Sequence, residues 1–170
     1  MTTNVDKNTP TTLSFGTENP SIGSIELEYA FSIRIDFTER VRFQTPAGKR
    51  SYVPAAGGEI WGPRLQGRVV GGSGADYAGV YGLDAHYMLE ASDGSPIYIH
   101  NSGYLYPMDG SETRLDDPSW GGDREFYFRI TPRFDAPVGP HDWLTRTIIV
   151  GTGQRVANPD HTVFTYYAVK

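Results

Sequence analysis

Apolar residues recur at every second position through much of this chain. In "IELEYAFSIRID", which begins at Ile25, the residues Leu27, Tyr29, Phe31, Ile33 and Ile35 alternate with mostly polar neighbours. That is the period of a strand and not of a helix. The same reading predicts strands over 40–44, 50–55, 65–70, 83–91, 96–103, 125–131, 146–153 and 161–169, about nine in all. No segment carries a convincing helical stripe. Turn signals separate the strands: "TPAGK", "GGSGAD", "SDGS", "PVGPHD" and "VANPD". The clearest hairpin is "ASDGSPIYI", where Asp93-Gly94 supplies the residues a tight reversal prefers. Residues 1–20 are rich in Thr, Asn and Pro with little periodicity, and read as a flexible N-terminal arm before one domain over 21–170.

Short strands joined by tight turns must stack as two sheets or close on themselves, and closure removes exposed edges. The distinction matters for "EFYFRITPRF", from Glu125. Phe126, Phe128 and Ile130 share one face, while Tyr127, Arg129 and Thr131 share the other. On a sheet wetted on one side, Arg129 is an ordinary exposed charge. In a barrel wide enough to hold one small ligand, a guanidinium among aromatic rings is a binding device. The same choice applies to Asp84, His86 and Met88 on one strand, and to Tyr98 and His100 on another. A one-residue change of register reverses every such assignment.

Composition narrows the chemistry. The chain has 170 residues, enough for one self-sufficient core, and no cysteine, which excludes disulfides, thiolate metal sites and cysteine nucleophiles. A formal charge of −5 without a basic cluster argues against nucleic acid as a partner. No apolar run approaches the roughly 18–20 residues that span a bilayer, and the start lacks the pattern of a secretory signal, so no membrane partner is expected and the chain reads as cytoplasmic.

The glycine-rich block at 57–77 lacks both a following helix and a Gly-Lys-Ser/Thr, so its glycines read as bulges and corners and not as a phosphate loop. His86, His100, His141 and His161 show no close pairing in sequence, so no metal site is expected. No Gly-x-Ser-x-Gly nucleophile turn is present. The acidic stretch 108–125 is long for a strand connection, and Trp120 within it suits a lid.

Three stretches carry a resemblance: "GGEIWGPRLQGRVVGGSGADY", "LDAHYMLEASDGSPIYIHNSG" and "YFRITPRFDA" followed by "HDWLTRTIIVGTG". In order and spacing they resemble the DUF3237 family, also called UPF0311, from about Ile25 to the C-terminus. The resemblance implies an all-β fold, a single antiparallel closed β-barrel of lipocalin-like or calycin-like form. It also implies, from fungal relatives, an association with secondary metabolism, including chalcone-isomerase-type ring closure of flavonoid precursors. The family's motifs fall on Gly62, Pro63, Leu65 and Gly67; on Gly74, Ala75 and Asp76; on Asp84, Ala85 and Tyr87; on Tyr127, Phe128, Arg129 and Pro132; and on Trp143, Leu144 and Arg146. This chain departs from them at Tyr77, His86 and Thr145.

Together these readings predict a cofactor-independent isomerase or cyclase that closes a ring in a phenolic, polyketide-like small molecule. Such chemistry needs a shaped apolar pocket, donors for developing enolate or phenolate charge, and one group that moves a proton. Arg129 and Arg64 are expected to stabilise the anion and His86 or Asp84 to transfer the proton. Tyr87, Asn101, Tyr127, Thr131, Trp143 and Arg146 are expected to bind and position the substrate. No cofactor is called for. The alternative is a lipocalin-like carrier that binds a hydrophobic metabolite unchanged, and a homo-oligomer built on the polar strand faces is a third possibility.

Overall fold

The computed structural model describes residues 25–79, 82–111, 124–156 and 158–170. Among the described residues ten strands follow one another: β1 (Leu27–Phe37), β2 (Val41–Thr45), β3 (Gly48–Trp61), β4 (Gly67–Val69), β5 (Ala75–Asp76), β6 (Gly82–Ala91), β7 (Pro96–Pro107), β8 (Phe126–Asp135), β9 (Ile149–Val156) and β10 (His161–Val169). A single helical turn, α1 (Trp143–Arg146), interrupts them. All pairings are antiparallel, and the order runs β1-β10-β9-β8-β7-β6. From β6 the sheet continues through β4 and β5, both of which lie between β6 and β3. Strand β3 then returns to β1, from Ser32↔Trp61 to Phe37↔Ala55, and closes the barrel. Strand β2 is a hairpin partner of the first half of β3.

The predicted alternation determines which face is inside. On β8, Phe128, Ile130, Pro132 and Phe134 are buried while Arg129, Thr131, Arg133 and Asp135 are exposed. On β6, Ala85, Tyr87, Leu89 and Ala91 point inward, and on β10, Thr162, Phe164, Tyr166 and Ala168. Burying aromatic and aliphatic side chains is the dominant gain of closing the sheet. The strands therefore turn their mixed faces, the faces that carry Arg129, Asp84 and His86, to the outside.

Predicted and observed strands agree except at particular points. Strands β3, β7, β8 and β9 run on to Trp61, Pro107, Asp135 and Val156, past the expected ends at 55, 103, 131 and 153, and β5 and the turn α1 carry no signal in the sequence. Strand β5 is too short to give a periodic signal, and Gly74 lets it lie against β6: a Cβ there would stand 1.8 Å from the carbonyl oxygen of His86. The Asp93-Gly94 hairpin is present as predicted, with Gly94 at φ +86°. The N-terminal arm and most of the 108–125 stretch, with Trp120, lie outside the described residues.

The two ends of the barrel differ. Phe31 stacks on Tyr166 at 4.8 Å and meets Phe134 and Trp143 edge to face, filling one end together with Leu89, Ile97 and Ile99. Arg64 lies over the outer ring face of Trp143 at 3.7 Å and covers that end. The other end is less completely filled.

Candidate active site

The incompletely filled end holds a cavity of about 70 Å³ that opens to solvent at its mouth. Its wall is apolar: Ile35 and Phe37 from β1, Val53 and Ala55 from β3, Leu83 and Ala85 from β6, Leu105 from β7, Phe128 from β8 and Phe164 from β10. Against this wall stand four polar side chains, those of Asp76, Tyr87, Arg155 and Thr162.

Asp76 ends the two-residue strand β5. It pairs with Ala85, an inward position, so its carboxyl shares the inner face. Oδ1 accepts the main-chain N–H of Asp84 at 3.1 Å. Burial pushes the carboxyl up to about 7, against the opposing effect of that hydrogen bond, and the nearby charge of Asp84 adds to the rise. Asp76 therefore exchanges its proton near neutral pH, inside an apolar cavity.

Tyr87 lies deeper and is fully buried. Behind it Asn101 Nδ2 donates to Tyr166 Oη at 3.2 Å, both residues having no exposed surface. Burial raises both tyrosines well above the ordinary phenol value, so they are neutral hydroxyls. Tyr166 and Asn101 stand close enough to Tyr87 Oη to affect its ionisation, yet neither Tyr87 Oη nor Asn101 Oδ1 completes a well-formed hydrogen bond among the described residues. A buried hydroxyl left in this state is costly, and a ligand oxygen at the cavity floor would satisfy it.

Arg155 reaches the cavity from β9, where Ile149, Gly151 and Gly153 precede it on the inner face. Its Nη2 donates to Asp160 Oδ1. Arg40 pairs with the other oxygen of the same carboxylate and lies over the Phe37 ring. Two guanidinium groups thus share one carboxylate, and burial together with the Arg40 charge lowers the Arg155 pKa. Among the described residues, Arg155 and the titrating Asp76 carboxyl line the same cavity.

Of the residues predicted from sequence, the structure brings only Tyr87 and Asn101 to this site. Arg129 is exposed on the outer wall, lies over the Tyr127 ring at 5.0 Å and donates to its neighbour's carbonyl, Phe128 O. Tyr127 stacks on Tyr106 outside the barrel, and Thr131 is exposed in a groove between β8 and β9. Trp143 and Arg64 sit at the filled end, and Arg146 is exposed and bonds Asp142. Asp84 and His86 lie on the outer face of β6. The expectation that Arg129, His86, Asp84, Tyr127 and Thr131 face the cavity is therefore corrected. Their strand-mates on the opposite face are more apolar and take the interior. Tyr77 and Thr145 are likewise exposed, so all three departures from the family pattern fall outside the cavity.

Asp76, Arg155, Arg40, Asp160 and Tyr166 were not assigned a role from sequence. Asp76 lies inside a recognised motif, but its strand is too short to reveal a face. Arg155 lies two residues beyond the predicted end of its strand, in alternation with Ile149.

A family model described as a protein of unknown function, DUF3237, matches residues 25–169. The chain belongs to the DUF3237 family. A UPF0311 protein of Rhodopseudomonas palustris is 28 % identical over 145 residues, covering 79 % of this chain and 92 % of that one. Another, from Bradyrhizobium diazoefficiens, is 29 % identical over 143 residues, covering 79 % and 91 %. Among solved structures, a β-barrel-like protein of Acinetobacter baumannii matches with a TM-score of 0.75 and 27 % identity, covering 89 % of this chain and all of that one. An enzyme from Penicillium herquei resembles this fold with a TM-score of 0.61 and 21 % identity, covering 92 % of this chain and all of that one. Among the described residues no helix is long and apolar enough to cross a membrane.

Proposed function

We propose that this DUF3237 protein is a cofactor-independent isomerase or cyclase that closes a ring in a phenolic enone-type small molecule within the barrel. The observation that carries the reading is Asp76, a carboxyl lifted to about 7 in a cavity walled by Phe37, Leu83, Leu105, Phe128 and Phe164. A general base works best when its pKa lies near the working pH. A carrier gains nothing from burying such a group.

The chemistry is an intramolecular conjugate addition. Asp76 takes the proton of a phenol, the phenolate oxygen bonds to the β-carbon of the enone, and the double-bond electrons move to the carbonyl oxygen. Asp76 then returns its proton to the α-carbon of the enolate, so product and substrate are isomers and no other reactant is consumed. Arg155 offsets the negative charge of the phenolate and enolate in a low-dielectric site. Tyr87, backed by Asn101 and Tyr166, donates a hydrogen bond at the floor. The apolar wall holds the substrate folded. That a protein of this fold from Penicillium herquei is described as an enzyme supports the general class.

The test is incubation of purified, cofactor-free protein with hydroxychalcones and related phenolic enones, with product resolved by chiral chromatography against buffer and against Asp76→Asn. Enantioenriched product from the native protein only is the expected result. Binding without conversion above buffer across the panel would favour the carrier.

A further inference from the structure

The outer wall carries a second cluster that the cavity chemistry does not use. We propose that Asp84, His86 and His100 bind one divalent first-row transition cation of the zinc type.

The strand ladder assembles the donors. In the β6–β7 hairpin, His86 is the direct partner of His100, and Asp84 lies two residues from His86 on the same face. Asp84 Oδ1 stands 2.9 Å from His100 Nε2 and 3.3 Å from His86 Nε2, and the three ligand atoms lie within 4.8 Å of one another. Zinc held tetrahedrally at its usual bond lengths separates neighbouring ligand atoms by roughly 3.3 Å. The two Asp84–imidazole distances are therefore close to that spacing before any cation enters.

The donor types also fit. Two imidazole nitrogens and one carboxylate oxygen are a borderline N,O set that suits zinc and its neighbours better than magnesium or calcium. Three protein ligands leave further positions to water. The side chains are 36–53 % exposed, so a cation and its waters have free access.

The surroundings hold the donors in place. His86 Nδ1 is hydrogen-bonded to Tyr98 Oη at 2.5 Å, which turns Nε2 toward the cluster, the arrangement an outer-shell partner gives a metal-ligating histidine. The two imidazole rings stack at 4.0 Å, and the Tyr77 ring meets His86 edge-on. The Asp84 main chain is fixed by its N–H bond to Asp76. In the absence of a cation, Oδ1 of Asp84 accepts an N–H from each ring. On binding, both Nε2 atoms present lone pairs, and the His86 proton sits on Nδ1, facing Tyr98.

The test uses tag-free, full-length protein stripped with chelator and then titrated with Zn²⁺ by calorimetry, with Co²⁺ absorption as a second readout. The expected result is one cation per chain and a tetrahedral or five-coordinate Co²⁺ spectrum. His86→Gln and His100→Gln should each weaken binding about tenfold or more, and the double variant should abolish it. His141→Gln, which removes the separate contact to Asp93 (3.0 Å), should leave binding unchanged. Circular dichroism of each variant separates lost binding from lost fold. Absence of saturable binding to the native chain, or binding that survives in the folded double variant, would overturn the proposal.

Discussion

The main-chain N–H of Asp84 donates to the carboxyl of Asp76 at 3.1 Å across the β5–β6 pair. One residue thus supports the candidate general base through its backbone on the inner side of the wall and places its own carboxylate on the outer side. The strand pleat separates two chemistries that the sequence sets eight positions apart.

The half-buried Asp76 carboxyl makes stability depend on pH. In the unfolded chain Asp76 titrates near 3.8, and in the barrel near 7. The native state therefore holds the extra proton between these values, and the contribution of this group is greatest below about 4 and is lost as the pH rises to about 7. Asp76→Asn keeps an acceptor for the Asp84 N–H without the ionisation. Its stability relative to the native protein should rise across that window, by up to about 4 kcal/mol on the order-of-magnitude conversion of the shift, and level off above it. Urea unfolding of both proteins from pH 4 to pH 8.5 checks this; a difference that does not change with pH would refute it.

Tyr87→Phe removes a buried hydroxyl that lacks a well-formed hydrogen bond in the free protein. Stability should be unchanged or rise by about 0.5–1 kcal/mol, because no good bond is lost. Conversion of a phenolic substrate should fall about tenfold or more if the hydroxyl binds the substrate oxygen. Thermal melts and steady-state rates on the same preparation separate the two effects.

Arg129→Ala alters only the outer wall, where its partners are the Tyr127 ring and the Phe128 carbonyl. Stability should change by no more than about 0.5 kcal/mol and turnover by less than about twofold. Loss of turnover in a folded Arg129→Ala protein would show that the active site is elsewhere than the cavity.

Arg155→Gln removes the positive charge at the cavity while Arg40 retains the Asp160 carboxylate, so the mouth should stay assembled. Affinity for phenolate-forming ligands should drop about tenfold, with little change for neutral analogues of the same shape. Titrations with a hydroxylated ligand and its methyl ether read this directly.

The barrel was legible in the sequence because alternation and turn signals suffice to specify strands and hairpins. The site was less so. The Phe126, Phe128 and Ile130 face of β8 already marks the inner side by hydrophobicity alone, and only the family motif favours an inward Arg129. Asp76 lies on a strand of two residues, where no period exists to read. His86 and His100 appear unrelated by spacing, yet the hairpin register, with Ala91 and Ser95 closing a loop centred on Asp93, sets them opposite each other. Close pairing in sequence is the histidine signature on a helix, whereas on a hairpin it is symmetry about the turn.

The cavity chemistry requires that Asp76 exchange a proton near neutral pH. The most direct measurement is a ¹³C NMR titration of the aspartate side-chain carboxyls, with the Asp76 signal identified by its loss in Asp76→Asn. A midpoint of about 7 that moves when a phenolic ligand occupies the cavity is the predicted result. A midpoint near 4, unaffected by ligand, would contradict the account.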